Sequence, residues 1–348
     1  MTHERTERKI HKRGPVLETF HGEHFDFTKV SNDVNELSIR NVRTIDLSGV
    51  RTHDRLEHLF IESDEIEEID LIPLKESDVL KTLWISSDSI EELDLSPLHK
   101  SPSLEMSTLS SLSLKSLDLS PLVRVRTIQI KSRFSIIDLS TLEKPLDTEL
   151  GDKIIHLFDC SGDRFTPEGL PRDTTTFGVS NCKELKTLDL SPIINSEHLR
   201  NVVLENNALT SIDLSPMASC DFDPKYVHTE IKLRGNQLST IELHPLARLE
   251  QLRELDLTNN TLNHIDLSPL ATCSGLMYIR LSGNPLEEID VSPLFRLKHL
   301  REVTFPVEKN ISEPVYPRII ANNELKDQSP YWLRKAHSKD RYFKIEYV

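Results

Sequence analysis

Apolar and polar positions along this chain fall into a unit that recurs. One copy reads Leu252, Leu255, Leu257, Asn260, Leu262 and Ile265, and 24 residues later the same slots hold Leu276, Ile279, Leu281, Asn284, Leu286 and Ile289. Upstream, the template fits Leu199, Val202, Leu204, Asn207, Leu209 and Ile212, then His228, Ile231, Leu233, Asn236, Leu238 and Ile241. The L-x-L portion predicts a short strand with alternate residues inward, and the following x-x-N-x-L turns the chain back toward the core. A second motif, Ile-Asp-Leu-Ser-Pro-Leu with small variations, closes each unit. Its acidic position falls at Asp46, Asp70, Asp94, Asp118, Asp138, Asp189, Asp213, Glu242, Asp266 and Asp290, and six of those nine intervals are 24 residues. A fixed period of this length predicts stacked units, each burying its apolar face only against its neighbours. Ser-Pro reads as an N-cap followed by proline at the first helical position, opening a short helical or 3₁₀ turn on the return side.

The asparagine has a mechanical task in such a turn. Its amide can bond N–H and C=O groups buried between units, each of which costs about 1 to 3 kcal/mol if left unpaired. Counting back from the closing motif places Asn207, Asn236, Asn260 and Asn284 on this ladder, with Cys160 and Cys182 substituting in irregular units. In the first half the count places Asp64, Asp88 and Leu112 there. Leucine offers no bond, so that repeat should be turned differently or bonded by Ser110, Ser111 or Ser113.

The pattern L-x-x-L-x-L-x-x-N-x-L-x-x-I resembles the leucine-rich repeat family across roughly residues 34 to 305, and its closing motif is similar in style to archaeal leucine-rich repeat proteins. The resemblance implies an α/β fold: a leucine-rich repeat solenoid curved into a horseshoe. A parallel sheet would form the concave face, and short helical or 3₁₀ turns or extended segments the convex one. It divides the chain into a disordered basic tail (1–15), an N-terminal cap (16–33), the solenoid (34–305, irregular at 143–185) and a C-terminal cap (306–348). Degenerate strands are expected near Ile155 to Leu157 and Phe177 to Val179, with Phe165 to Pro171 as a loop.

Partners of this family usually dock on the exposed strand positions. The middle exposed row reads Ser38, Phe60, Trp84, Thr108, Gln129 and His156, then Gly178, Val203, Lys232, Asp256, Arg280 and Thr304. Lys232, Asp256 and Arg280 alternate in sign and predict a cross-strand charge ladder. Phe60 and Trp84, with Met106 beside them, predict an apolar patch suited to a partner. Phe20, Phe25 and Phe27 offer the alternative of an internal cover. Lys81, Arg126, Lys131 and Arg200 lie on the same expected face and would hold acidic groups of a partner.

Composition narrows the function. The net charge is −14, which argues against nucleic acid and anionic membranes. Four cysteines without C-x-x-C spacing argue against zinc and disulfides, and free thiols with no apolar leader suggest the cytoplasm. Phosphate-loop and hydrolase motifs are missing from the sequence, and His21-Gly22-Glu23-His24 is too isolated for a metal site. The expectation is a non-catalytic, monomeric scaffold without cofactors, binding a protein on its concave sheet. A second reading is a regulator of another protein's catalysis, of the small-GTPase or ubiquitin-transfer type. A third is nucleic-acid contact through the C-terminal Tyr331, Trp332, Tyr342, Phe343 and Tyr347 with their interleaved Arg and Lys residues.

Overall fold

A computed structural model describes residues 5–10, 16–133, 136–143, 152–161, 164–220, 229–306, 317–328, 330–339 and 344–348. His228, Arg341, Tyr342 and Phe343 lie outside the described residues. The chain divides into two compact units, one running to Ser161 with Glu168–Pro171, the other comprising Gly162–Pro167 and the chain from Arg172.

In the first unit the strands are β1 (Arg5–Ile10), β2 (Val16–His21), β3 (His24–Asp26), β4 (Glu36–Arg40), β5 (Thr44–Asp46), β6 (His58–Glu62), β7 (Thr82–Ser86), β8 (Met106–Ser110), β9 (Thr127–Lys131), β10 (Ile136–Asp138) and β11 (Lys153–Phe158). Its main sheet runs β1-β2-β4-β6-β7-β8-β9-β11, parallel throughout except that β1 is antiparallel to β2. The disordered tail expected for residues 1–15 is therefore corrected at Arg5–Ile10. An unpaired sheet edge leaves a row of N–H and C=O groups without partners, and a charged hairpin strand covers it.

The second unit takes in β12 (Arg164–Glu168) up to Pro167, and this strand pairs with β14 (Thr187–Leu188) where a loop was expected. Its main sheet is β13 (Thr174–Ser180), β15 (Asn201–Val203), β16 (Thr229–Lys232), β17 (Leu252–Asp256), β18 (Tyr278–Arg280) and β20 (Glu302–Thr304), all parallel. At the C-terminal end β19 (Glu288–Asp290), β21 (Arg318–Ala321) and β22 (Glu346–Tyr347) form a small parallel sheet, clamped by Arg318 between Glu288 and Glu346. Helix α1 (Tyr331–Lys339) buries Trp332 edge-on against Phe295 with ring centroids 5.9 Å apart. A buried Trp332 cannot stack on a base, so the nucleic-acid reading loses its central aromatic.

Alternation places Leu37, Leu59 and Leu83 in one inward row and Ile39, Ile61 and Ile85 in the next, all buried. Each such side chain contributes about 1.5 to 3 kcal/mol. Phe20, Phe25 and Phe27 stack edge-on with centroids 5.1 Å apart, and Phe27 meets His53. They fill the first turns of the core and do not cover Trp84.

The return segments show how the closing motif works. At all ten acidic positions a side-chain oxygen accepts the amide two residues on, at 2.8 to 2.9 Å, and a 3₁₀ turn starts at that second residue. The cap is thus the acid, not the serine expected from the sequence. The carboxylate spans two residues to reach the orphan amide, whereas Ser sits inside the turn and donates its own hydroxyl back to Asp94 or Asp213. Accepting the Ser96 amide holds the Asp94 carboxyl below its ordinary range, and the Ser215 amide does the same for Asp213.

Two chemistries seal the turns between repeats. In the second unit a left-handed residue, Asn206, Gly235, Asn259 or Gly283, precedes each ladder asparagine and turns that asparagine inward. Asn260 Oδ1 accepts Leu238 N–H at 3.2 Å, and its Nδ2 donates to Leu233 O and Leu257 O, both at 3.0 Å. Asn207, Asn236 and Asn284 bridge their neighbours likewise. Asp159 and Asn181 are also left-handed, and Cys160 and Cys182 after them donate Sγ–H to Phe158 O and Ser180 O.

The first unit corrects the placement of Asp64 and Asp88. None of Ser63, Ser87 and Ser111 adopts a positive φ, so the inward residue comes one position earlier. Ser63, Ser87 and Ser111 are buried and donate to Val42 O, Ile66 O and Ile90 O at 2.6, 2.7 and 2.8 Å. The Asp64 and Asp88 carboxylates accept the amides of Asp88 and Leu112 in the next repeat, and their backbone carbonyls accept from the Ser89 and Ser113 hydroxyls. Ser111 and Ser113 therefore serve the Leu112 turn.

Two outcomes follow from this packing. Leu257→Ala, at a fully buried position, lowers unfolding free energy by about 2 to 5 kcal/mol, whereas Ile194→Ala, 46% exposed, lowers it by less than about 0.5 kcal/mol, both read by urea denaturation. For Asp94 and Asp213, a depressed folded pKa makes stability present above the unfolded carboxylate range, about pH 4, and lost as pH falls through the folded value. Replacing Asp94 and Asp213 by Asn keeps the acceptor oxygen and removes the proton uptake, so the acid limb of the stability profile becomes shallower. An unchanged limb would place the acid sensitivity elsewhere.

Candidate protein-binding face

The parallel register brings three outward rows onto the face of the first unit's sheet. The middle row is Thr19, Ser38, Phe60, Trp84, Thr108, Gln129 and His156. Phe60 and Trp84 are direct neighbours on β6 and β7, with ring centroids 6.1 Å apart and planes tilted by 53°. Trp84 is 41% exposed. Met106 is not in this row: it lies opposite Thr82, one row over, because β8 enters the sheet two residues before Thr108.

A groove of about 310 Å³ opens beside the two rings. Leu17 and Thr19 of β2 form one wall, Glu36, Ser38 and Arg40 of β4 the floor, and Phe60, Glu62 and Trp84 the other wall. Arg40 pairs with Glu62 at 3.4 Å and donates Nε–H to Ser38 Oγ at 3.2 Å. Sequence reasoning missed Leu17, Glu36, Arg40 and Glu62. The repeat count starts too late to include β2, whose register with β4 places Leu17 opposite Glu36.

The cations expected to meet a partner have acids of this chain beside them. Lys81 Nζ lies 2.9 Å from Glu57, whose carboxyl this bond holds below its ordinary range. Arg126 pairs with Asp152 at 3.2 Å and Lys131 with Asp159 at 3.9 Å. Exposed pairs of this kind hold weakly and exchange readily. Gln129 accepts from Thr108 Oγ1 at 3.1 Å. Arg200 belongs to the second unit, where its backbone N–H bonds Thr175 O.

The charge ladder of the second unit is wired differently from the expected one. Lys232 pairs within its own strand to Glu230 at 2.7 Å, and Arg280 reaches diagonally to Glu254 at 2.7 Å. Asp256 is 7% exposed because its carboxylate turns to accept Thr258 N–H. The Arg280 guanidinium also lies 5.5 Å over the Tyr278 ring. Burial pushes the Cys220 and Cys273 thiols up to about 12, which leaves them unreactive at neutral pH.

A family model described as leucine rich repeat matches residues 229–286. Residues 229–286 thus carry leucine-rich repeats, and the solenoid as a whole has the fold of leucine-rich repeat proteins. A chain of the Toll–Spatzle complex of Drosophila is similar at 17% identity and TM-score 0.59, over 92% of this chain and 45% of that one. In the glycosylated form of that complex the values are 16% and 0.57, over 94% and 55%. A leucine-rich repeat protein of Leptospira interrogans gives 12% and 0.52, over 91% and 90%. This chain thus spans about half the length of the Toll-complex chains. No curated protein matches it in sequence.

Proposed function

We propose that this protein is a non-catalytic interaction scaffold that docks a protein partner on the outward sheet face of its first unit, centred on Trp84. Leucine-rich repeat proteins commonly act in protein–protein interaction, and one structural neighbour stands in a complex with a protein. The observation that carries the reading is Trp84 itself, a large apolar side chain 41% exposed beside Phe60 in a middle row that is otherwise polar. Tryptophan in such a setting is typical of interaction hot spots. The four free thiols support a reducing compartment as the place of action.

The test compares proteins captured from native lysate by the wild type, by Trp84→Ala and by Asp94→Ala on the return side. The captured partner is then titrated against each purified variant. Trp84→Ala weakens binding by about 2 kcal/mol or more, while its thermal midpoint stays close to the wild type and Asp94→Ala binds normally. A partner that binds Trp84→Ala as tightly as the wild type contradicts the assignment.

A further inference from the structure

The groove beside Trp84 carries an unbalanced charge. Arg40 is spent on Glu62 and Ser38, so that pair is close to neutral. The Glu36 carboxylate lines the same groove and has neither hydrogen bond nor ion pair among the described residues. One carboxylate therefore remains uncompensated next to two aromatic rings, on a chain of net charge −14. Aromatic faces attract cations through their quadrupole, tryptophan most strongly, and a nearby carboxylate adds to that field.

The second unit already assembles this combination from its own residues. There Arg280 lies over the Tyr278 ring and donates Nε–H to Glu254, so aromatic face, carboxylate and guanidinium come together on adjacent strands. The first unit offers the aromatic face and the carboxylate, and its own guanidinium points to Glu62 and Ser38. Resting on the docking reading above, we propose that the groove receives an arginine side chain presented by the protein partner, its guanidinium over Trp84 and against Glu36. Arginine suits this site better than lysine because its planar, weakly hydrated head both stacks and forks to a carboxylate.

The experiment uses Trp84 as its own reporter in the full chain carrying Trp332→Phe. Three probes are titrated: acetyl-Gly-Arg-Gly-amide, its citrulline counterpart, which is a neutral isostere, and its lysine counterpart. The arginine peptide gives a saturable change in Trp84 fluorescence, at least about five-fold tighter than citrulline, and Glu36→Gln removes about five-fold of that affinity. The lysine peptide binds more weakly than arginine. Equal binding of citrulline, tighter binding of lysine, or indifference to Glu36→Gln overturns the arginine assignment. If Phe at position 332 disturbs folding, the same titrations are followed in the wild type as peptide-induced shifts in thermal midpoint. A captured partner that needs Trp84 but tolerates Glu36→Gln sinks the arginine proposal and leaves docking intact. Peptide binding without any partner dependence on Trp84 sinks docking and leaves the cation site.

Discussion

Every turn of a solenoid presses backbone N–H and C=O groups against the next turn, out of reach of water. Each costs about 1 to 3 kcal/mol if unpaired, and the penalty recurs with every repeat. The rest of this structure depends on how that recurring demand is met. In the second unit a left-handed Asn or Gly swings an asparagine inward, and one amide group closes bonds to two turns at once. The first unit has no left-handed residue at the serine-capped turns, and a single serine hydroxyl reaches back to the preceding repeat. The left-handed positions constrain one another as well. A Cβ on Gly283 would meet Asn259 Oδ1 at 2.1 Å and one on Gly235 would meet Asn206 Oδ1 at 2.4 Å, so glycine follows asparagine at each of these two steps.

Because the turns fix where each strand begins, they also fix which residues share an outward row. Phe60 and Trp84 are neighbours because β6 and β7 enter the sheet in the same phase. Met106 is displaced from them although its repeat is regular, since its side chain occupies the row of Thr82. The groove exists because β2 continues the same register upstream, adding Leu17 and Thr19 as a wall that the repeat pattern alone does not mark. The composition of this face is thus a consequence of register, with its chemistry supplied by whatever side chains the register brings together.

The period, the inward rows and the middle outward row are readable in the sequence, because burial on one face of a strand leaves a two-residue alternation of apolar and polar types. Asn207, Asn236, Asn260 and Asn284 are readable too, since a polar amide kept at one slot of an apolar repeat marks a turn that needs its donors and its acceptor. Ser63, Ser87 and Ser111 carry no such mark. Their turns differ in backbone φ, which moves the inward position by one residue without moving the apolar pattern. The caps are acidic where serine was expected because Asp-x-Ser and Ser-Pro signal the same turn, and only geometry shows which oxygen takes the amide. Asp256 was expected in solvent. A local amide drew its carboxylate inward, a competition that alternation does not encode.

The most direct test of this account is the free energy of unfolding of two single variants, Asn260→Ala and Ser87→Ala, measured by chemical denaturation against the wild type. Each removes one bridging side chain from a different kind of turn while leaving every apolar contact of the repeat in place. The account predicts that both lose about 1 to 3 kcal/mol, with faster hydrogen exchange at the Leu238 amide in the asparagine variant. Losses below about 0.5 kcal/mol in both would contradict the claim that pairing of buried turn groups governs the stack.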